Sequence, residues 1–142
     1  MKVKDVMSQE IVSLNAEDTV ERAAELMRNY NVGSIPICNG EKVIGIITDR
    51  DIAIRSVASG NNFKIQKVRE IMSSNPVCAN PTISTEDAGR IMSERKIRRI
   101  PVVENNNLVG MLSLGDLATE PKLRNDAADV LTEVSEAGTE EF

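Results

Sequence analysis

Histidine and tryptophan are absent from this 142-residue chain, and it holds only one tyrosine, two phenylalanines and two cysteines. Each scarcity excludes something. Without histidine the chain lacks the side chain that most often serves as a base, or binds a metal, at neutral pH. Cys38 and Cys78 lie far apart with no CxxC spacing, so no metal site is expected, and both sit in apolar stretches that read as reduced core positions. An aromatic content of 2% removes the stacking platforms that single-stranded nucleic acid uses. A net charge of −5 argues against a broad basic footprint for nucleic acid. No apolar run approaches the length of a bilayer span, and "MKVKDVMSQE" has neither an apolar signal core nor a cleavage site. The expectation is a cytoplasmic protein without membrane partners. A Walker-type loop is also missing. Asp49 and Asp51 are two carboxylates in one turn with no general acid opposite, so catalysis is not expected.

What is present is a soluble composition, 41% hydrophobic and 27% charged, whose core must be built from Ile, Val, Leu, Met and Ala. The chain is also written twice. "VKDVMS" at Val3 returns as "VREIMS" at Val68, an offset of 65 residues. The same offset carries Met27 onto Met92, Ile35-Pro36 onto Ile100-Pro101, Gly45 onto Gly110 and Asp51 onto Asp116, with no gap. Thirteen of fifty-two aligned pairs are identical, several times chance, so the repeat is real.

Each copy predicts strand, helix, strand, strand, helix: an α/β fold of two tandem β-α-β-β-α repeats packed as a pseudo-twofold pair. The first strand is expected at Ile11–Leu14, and at Pro76–Ala79 in the second copy. Val20, Ala23, Ala24, Met27 and Tyr30 have the spacing of one buried helix face. Thr19 and Ser84 stand where N-caps belong. Asn39-Gly40, and Asn105 to Asn107, mark hairpin turns. A last helix begins near Asp49 and near Leu114. Repeat 1 is placed at 1–58, a linker at 59–67, repeat 2 at 68–119 and a helical tail at 120–142. The tail's stripe of Ala127, Val130, Leu131 and Val134 is expected to pack on its own pair, with docking on a partner subunit as the lesser reading, and to fray beyond it.

The chemistry concentrates in a repeated close, "GIITDRD" at Gly45 and "GMLSLGD" at Gly110. A hydroxyl and an aspartate three residues apart, at a helix start, form a capping box that needs no ligand. The same pair suits a sugar, because one carboxylate can accept hydrogen bonds from two neighbouring hydroxyls. The third-position acid is Asp both times, where capping boxes prefer Glu or Gln, and the preceding glycine permits close backbone approach. Both readings stand on the residues alone.

The repeated order, the "VKDVM" entry, the "IPI" and "IPV" strands and the Gly-x-x-Thr/Ser-x-x-Asp close together resemble the CBS domain family, named after cystathionine β-synthase. The resemblance covers Val3 to about Thr119 as a tandem pair like the stand-alone bacterial ones. It implies adenosine-type ligands (AMP, ADP or ATP above all, also NAD or S-adenosylmethionine) in clefts between the copies, and association of pairs into a flat homodimer. It assigns ribose to Thr48 with Asp51 and to Ser113 with Asp116. Arg98 and Arg99 replace Gly33 and Ser34 before the Ile-Pro, where related pairs reach phosphate, and Arg50 inside the first motif could do the same, whereas Gly115 replaces it in the second. Unequal sites are therefore expected. Arg95 and Lys96 read as a solvated helix end. Val12, Pro36, Val77 and Pro101 would line the base pocket, although such residues are usually core. The methionines read as core filler. The leading functional expectation is a non-catalytic sensor passing ligand state to a regulated protein. The alternative is a structural dimerisation module with no ligand site.

Overall fold

The computed structural model describes residues 1–136; the segment read as frayed lies mostly beyond them. Two compact units divide the chain: Val12–Pro76, and Met1–Ile11 together with Val77–Phe142.

In the Val12–Pro76 unit, β1 (Leu14–Asn15) runs parallel to β2 (Ser34–Asn39), and β2 forms an antiparallel hairpin with β3 (Lys42–Thr48). Gly40 turns that hairpin at φ 64°, a left-handed conformation that glycine takes without steric cost. β4 (Ser73–Ser74) completes the sheet on the far side of β3. The first strand is shorter and later than its apolar letters suggest: Ile11 is exposed and Val12 half-buried, and only Leu14 and Asn15 pair. Helix α1 (Val20–Tyr30) is capped by Thr19, whose hydroxyl accepts from Arg22 N at 3.1 Å. Its buried face is Val20, Ala23, Leu26 and Met27, which corrects the expected stripe at two places. Ala24 lies roughly a quarter-turn from the centre of that face and is exposed. Tyr30 is the last helical residue, beside left-handed Asn31, and is 59% exposed. After β3, a three-residue helix α2 (Asp49–Asp51) continues into a π-helical turn, Ile52–Val57.

The other unit repeats this plan. Helix α3 (Thr85–Arg95) is capped by Ser84, which accepts from Asp87 N at 3.0 Å. β5 (Arg99–Glu104) and β6 (Asn107–Ser113) form a hairpin through Asn105 and Asn106, both at positive φ. Every strand partner lies 65 residues from its counterpart, and even the bulge recurs, between Ile37 and Cys38 and between Val102 and Val103. Ala79 bridges Val102 in parallel and Ser8 bridges Met111 antiparallel, in the places of β1 and β4. Helix α4 (Leu114–Thr119) follows β6, and α5 (Arg124–Val134) buries Ala127, Val130 and Val134 in the same core as Met92 and Leu117. The tail's apolar stripe thus packs on its own chain, except that Leu131 is 47% exposed.

The repeats in sequence are not the units in space. Val3, from the first repeat, is fully buried in the core of Ala79, Met92 and Ile100. Val68, its counterpart, is fully buried in the core of Leu14, Val20 and Ile35. Each entry turn therefore completes the other repeat's core. Of the two cysteines expected in the core, Cys38 is buried on β2 but Cys78 is exposed, because it falls on the outward position before the single bridge at Ala79. Among the described residues no helix is long and apolar enough to cross a membrane.

Candidate functional site

Both repeated motifs form where the second hairpin strand ends and a helix begins. Thr48 Oγ1 accepts from Asp51 N at 3.0 Å while Thr48 N donates to Asp51 Oδ2 at 2.9 Å. Ser113 Oγ accepts from Asp116 N at 3.0 Å, and Ser113 N donates to Asp116 Oδ2 at 2.8 Å. The capping box is thus formed in both copies. Its effect on the carboxylate is to fix the rotamer and commit one oxygen to backbone, leaving the other for a different partner. Thr48 and Asp51 are buried, at 5% and 8% exposure; Ser113 and Asp116 are half-buried.

The second oxygen is where the copies part. Asp51 Oδ1 lies 3.8 Å from Arg55 Nε, one helical turn on. The residue 65 positions further is Glu120, a like charge, and Asp116 Oδ1 has no such cation within reach among the described residues. Arg55 is not among the residues the sequence motif points to, although its i,i+4 spacing from Asp51 is the ordinary signal for such a pair.

The two glycines lie against the chain's own entry segments. A Cβ on Gly45 would stand 2.3 Å from Met72 Sδ and 3.0 Å from Ser73 O; on Gly110 it would stand 2.6 Å from Met7 Sδ and 2.9 Å from Ser8 O. Close approach is indeed what they permit, but to the chain's own entry segments.

Arg99 opens β5 directly opposite Ser113, and Arg98 O accepts from Leu114 N at 2.8 Å. Arg98, Arg99, Ser113 and Asp116 therefore converge at one end of the β5–β6 hairpin. In the other unit Ser34 stands opposite Thr48 and Gly33 O accepts from Asp49 N at 3.0 Å, so that end carries no arginine on the strand side; the exposed Arg50 is its nearest basic residue in sequence. Arg98 is half-buried, its Nε buried without a hydrogen-bond partner and its Nη2 3.4 Å from Ser135 Oγ. Lys96 is not simply solvated: it caps α3 in a left-handed conformation at φ 56°, and its Nζ reaches Glu133 O at 2.5 Å and Glu136 at 3.6 Å. Pro36 and Pro101 are buried, and Val12 and Val77 half-buried. A hollow of about 340 Å³ lies elsewhere, between α3 and α5, and is lined by none of the residues expected at the ligand site.

The halves thus define a tandem-repeat α/β module with a hydroxyl–carboxylate pair at equivalent places. The CBS domain model matches twice, at residues 3–57 and 68–122, and the chain belongs to the CBS domain family. It is 41% identical over 133 residues to the CBS domain-containing protein YhcV of Bacillus subtilis, covering 94% of each chain. Among solved structures it is similar to the CBS domain protein PAE2072 from Pyrobaculum aerophilum complexed with AMP (TM-score 0.81, 26% identity, 91% of this chain and 99% of that one). It is similar also to the CBS domain pair of protein MJ0100 in complex with 5-methylthioadenosine and S-adenosyl-L-methionine (TM-score 0.75, 27% identity, 83% and 97%).

Proposed function

We propose that the chain is a non-catalytic sensor of an adenosine-type ligand, with AMP, ADP or ATP foremost, that works as a homodimer and passes ligand state to a partner protein. The observation that carries this reading is the pair of matched capping boxes, which tie one oxygen of Asp51 and of Asp116 to backbone and leave the other for a ribose diol, in Asp51 in competition with Arg55. A preset carboxylate loses little freedom on binding, which favours affinity. Adenosine compounds bound to PAE2072 and MJ0100 support the same ligand class. The Ser113/Asp116 motif is the stronger candidate, because Arg98 and Arg99 stand at the same hairpin end and Glu120 takes the place of Arg55.

The test is thermal melting with a panel of adenosine compounds. Ligand at a hundred times its dissociation constant adds about 2.7 kcal/mol, a rise of a few degrees for a chain of this size. Asp116→Asn keeps an oxygen for the Ser113 N–H but removes the charge; it should weaken binding by about tenfold or more, with Asp51→Asn costing less. No shift with any adenosine compound at millimolar concentration favours the second reading, a structural dimerisation module. The filled capping boxes give that reading its own support.

A further inference from the structure

The tail helix is fastened at its C-terminal turn by two basic residues, and one of them belongs to the proposed phosphate contacts. Lys96 Nζ donates to Glu133 O and pairs with Glu136, and Arg98 Nη2 donates to Ser135 Oγ at 3.4 Å. The guanidinium edge involved matters. Nε and Nη2 form the side-on fork that grips a phosphate or carboxylate with two parallel hydrogen bonds. Here the fork is poorly used: Nη2 has one long bond to a neutral hydroxyl, and Nε is buried with no partner. A buried donor left unmade is costly, whereas an anion on the fork would satisfy both N–H groups at once.

We infer that the C-terminal turn of α5 is a latch on the same arginine edge that a ligand phosphate takes, so that tail docking and phosphate binding at Arg98 exclude each other. The inference rests on the sensor reading and adds its output: the ligand's phosphate displaces Ser135 from Arg98 and loosens the end of α5. The helix stays anchored by Ala127, Val130 and Val134, all buried, so what loosens is the closing turn, where Ser135 N and Glu136 N donate to Leu131 O and Glu133 O. Lys96 holds the turn but is not part of the ligand contacts, so it can be altered separately.

Amide hydrogen exchange of the full chain, with AMP and with adenosine as probes, tests this. AMP at saturation should raise exchange in residues 131–136. Adenosine, which offers the ribose but no phosphate, should bind and leave that exchange unchanged. Lys96→Ala and Ser135→Ala each weaken the latch without touching the ribose motif; each should tighten AMP by about fivefold, a modest coupling, and leave adenosine affinity unaltered. AMP binding with unchanged or slower exchange in 131–136, or equal loosening by adenosine, overturns the latch and leaves the sensor intact. Failure of both compounds to bind overturns the latch, and overturns the sensor with it when the rest of the adenosine panel also gives no melting shift.

Discussion

A single oxygen atom separates the two readings of each repeated motif. The cap uses Asp Oδ2, the backbone amide and the hydroxyl, which is complete without a ligand and still leaves Oδ1 for a sugar. The hydroxyl–carboxylate pair was legible in the sequence because its spacing recurs. The glycine before it was legible as a tight spot, but its neighbour was not, since no local pattern says that Met72 and Ser73, or Met7 and Ser8, fold back against it. Gly45→Ala and Gly110→Ala should each lower stability by about 1–3 kcal/mol through overpacking, read as a lower urea midpoint. A midpoint unchanged in both variants would mean that the entry segments yield freely. Cysteine gives a second residue-scale prediction. Burial pushes the Cys38 thiol up from its ordinary value, and Cys78 is exposed, so an alkylating reagent should label Cys78 promptly and Cys38 only as the fold opens. The sign of the pH effect follows. A raised thiol pKa in the folded state leaves stability intact below the unfolded value, about 8.5, and removes it as pH climbs from there toward the folded value. Cys38→Val should flatten that alkaline loss in melting curves taken between about pH 8 and 10.

Elements were read most reliably where a cap and a period agreed. Thr19 and Ser84 accept from Arg22 N and Asp87 N as expected, and the hairpin turns fall at Gly40 and at Asn105 and Asn106. The first strand of each repeat is shorter than its letters suggest, because a run such as Ile11-Val12-Ser13-Leu14 reports apolarity and not pairing; Leu14 pairs with Ile37, and Ala79 alone bridges Val102. The exchange of entry turns could not be read at all. The repeat shows that Val3 and Val68 are equivalent, but the two cores are so alike that nothing local chooses between them. The exchange predicts an unexpected effect of mutation. Val3→Ala, although in repeat 1, should accelerate amide exchange in β5 and β6 before β2 and β3, and Val68→Ala should do the reverse. Each removes two methyl-sized groups from a fully buried site and should cost about 1–3 kcal/mol. Faster exchange confined to the mutated residue's own repeat would contradict the observed packing.

At the scale of the whole molecule, the two repeats differ most in what they show to solvent. On the π-helical turn, Ile54 is 47% exposed and Val57 60%, and nearby in sequence Ile65 is 71% exposed. Their counterparts for the first two, 65 residues on, are Thr119 and Lys122. Scattered exposed aliphatics are ordinary, but here the same fold does without them in its other copy, so the fold itself does not require them. Covering them against a second chain removes apolar area from water at about 25 cal/mol per Å², which gives the proposed homodimer a place on the first repeat. Ile54→Glu combined with Val57→Glu should shift sedimentation from the mass of two chains to that of one. The melting point of the separated chain should fall only by what dimerisation contributed, because neither side chain belongs to a core. An unshifted dimer would move the contact to another surface, and a wild-type chain that sediments as a monomer at all concentrations would remove the homodimer from the proposed function while leaving each nucleotide motif as it stands.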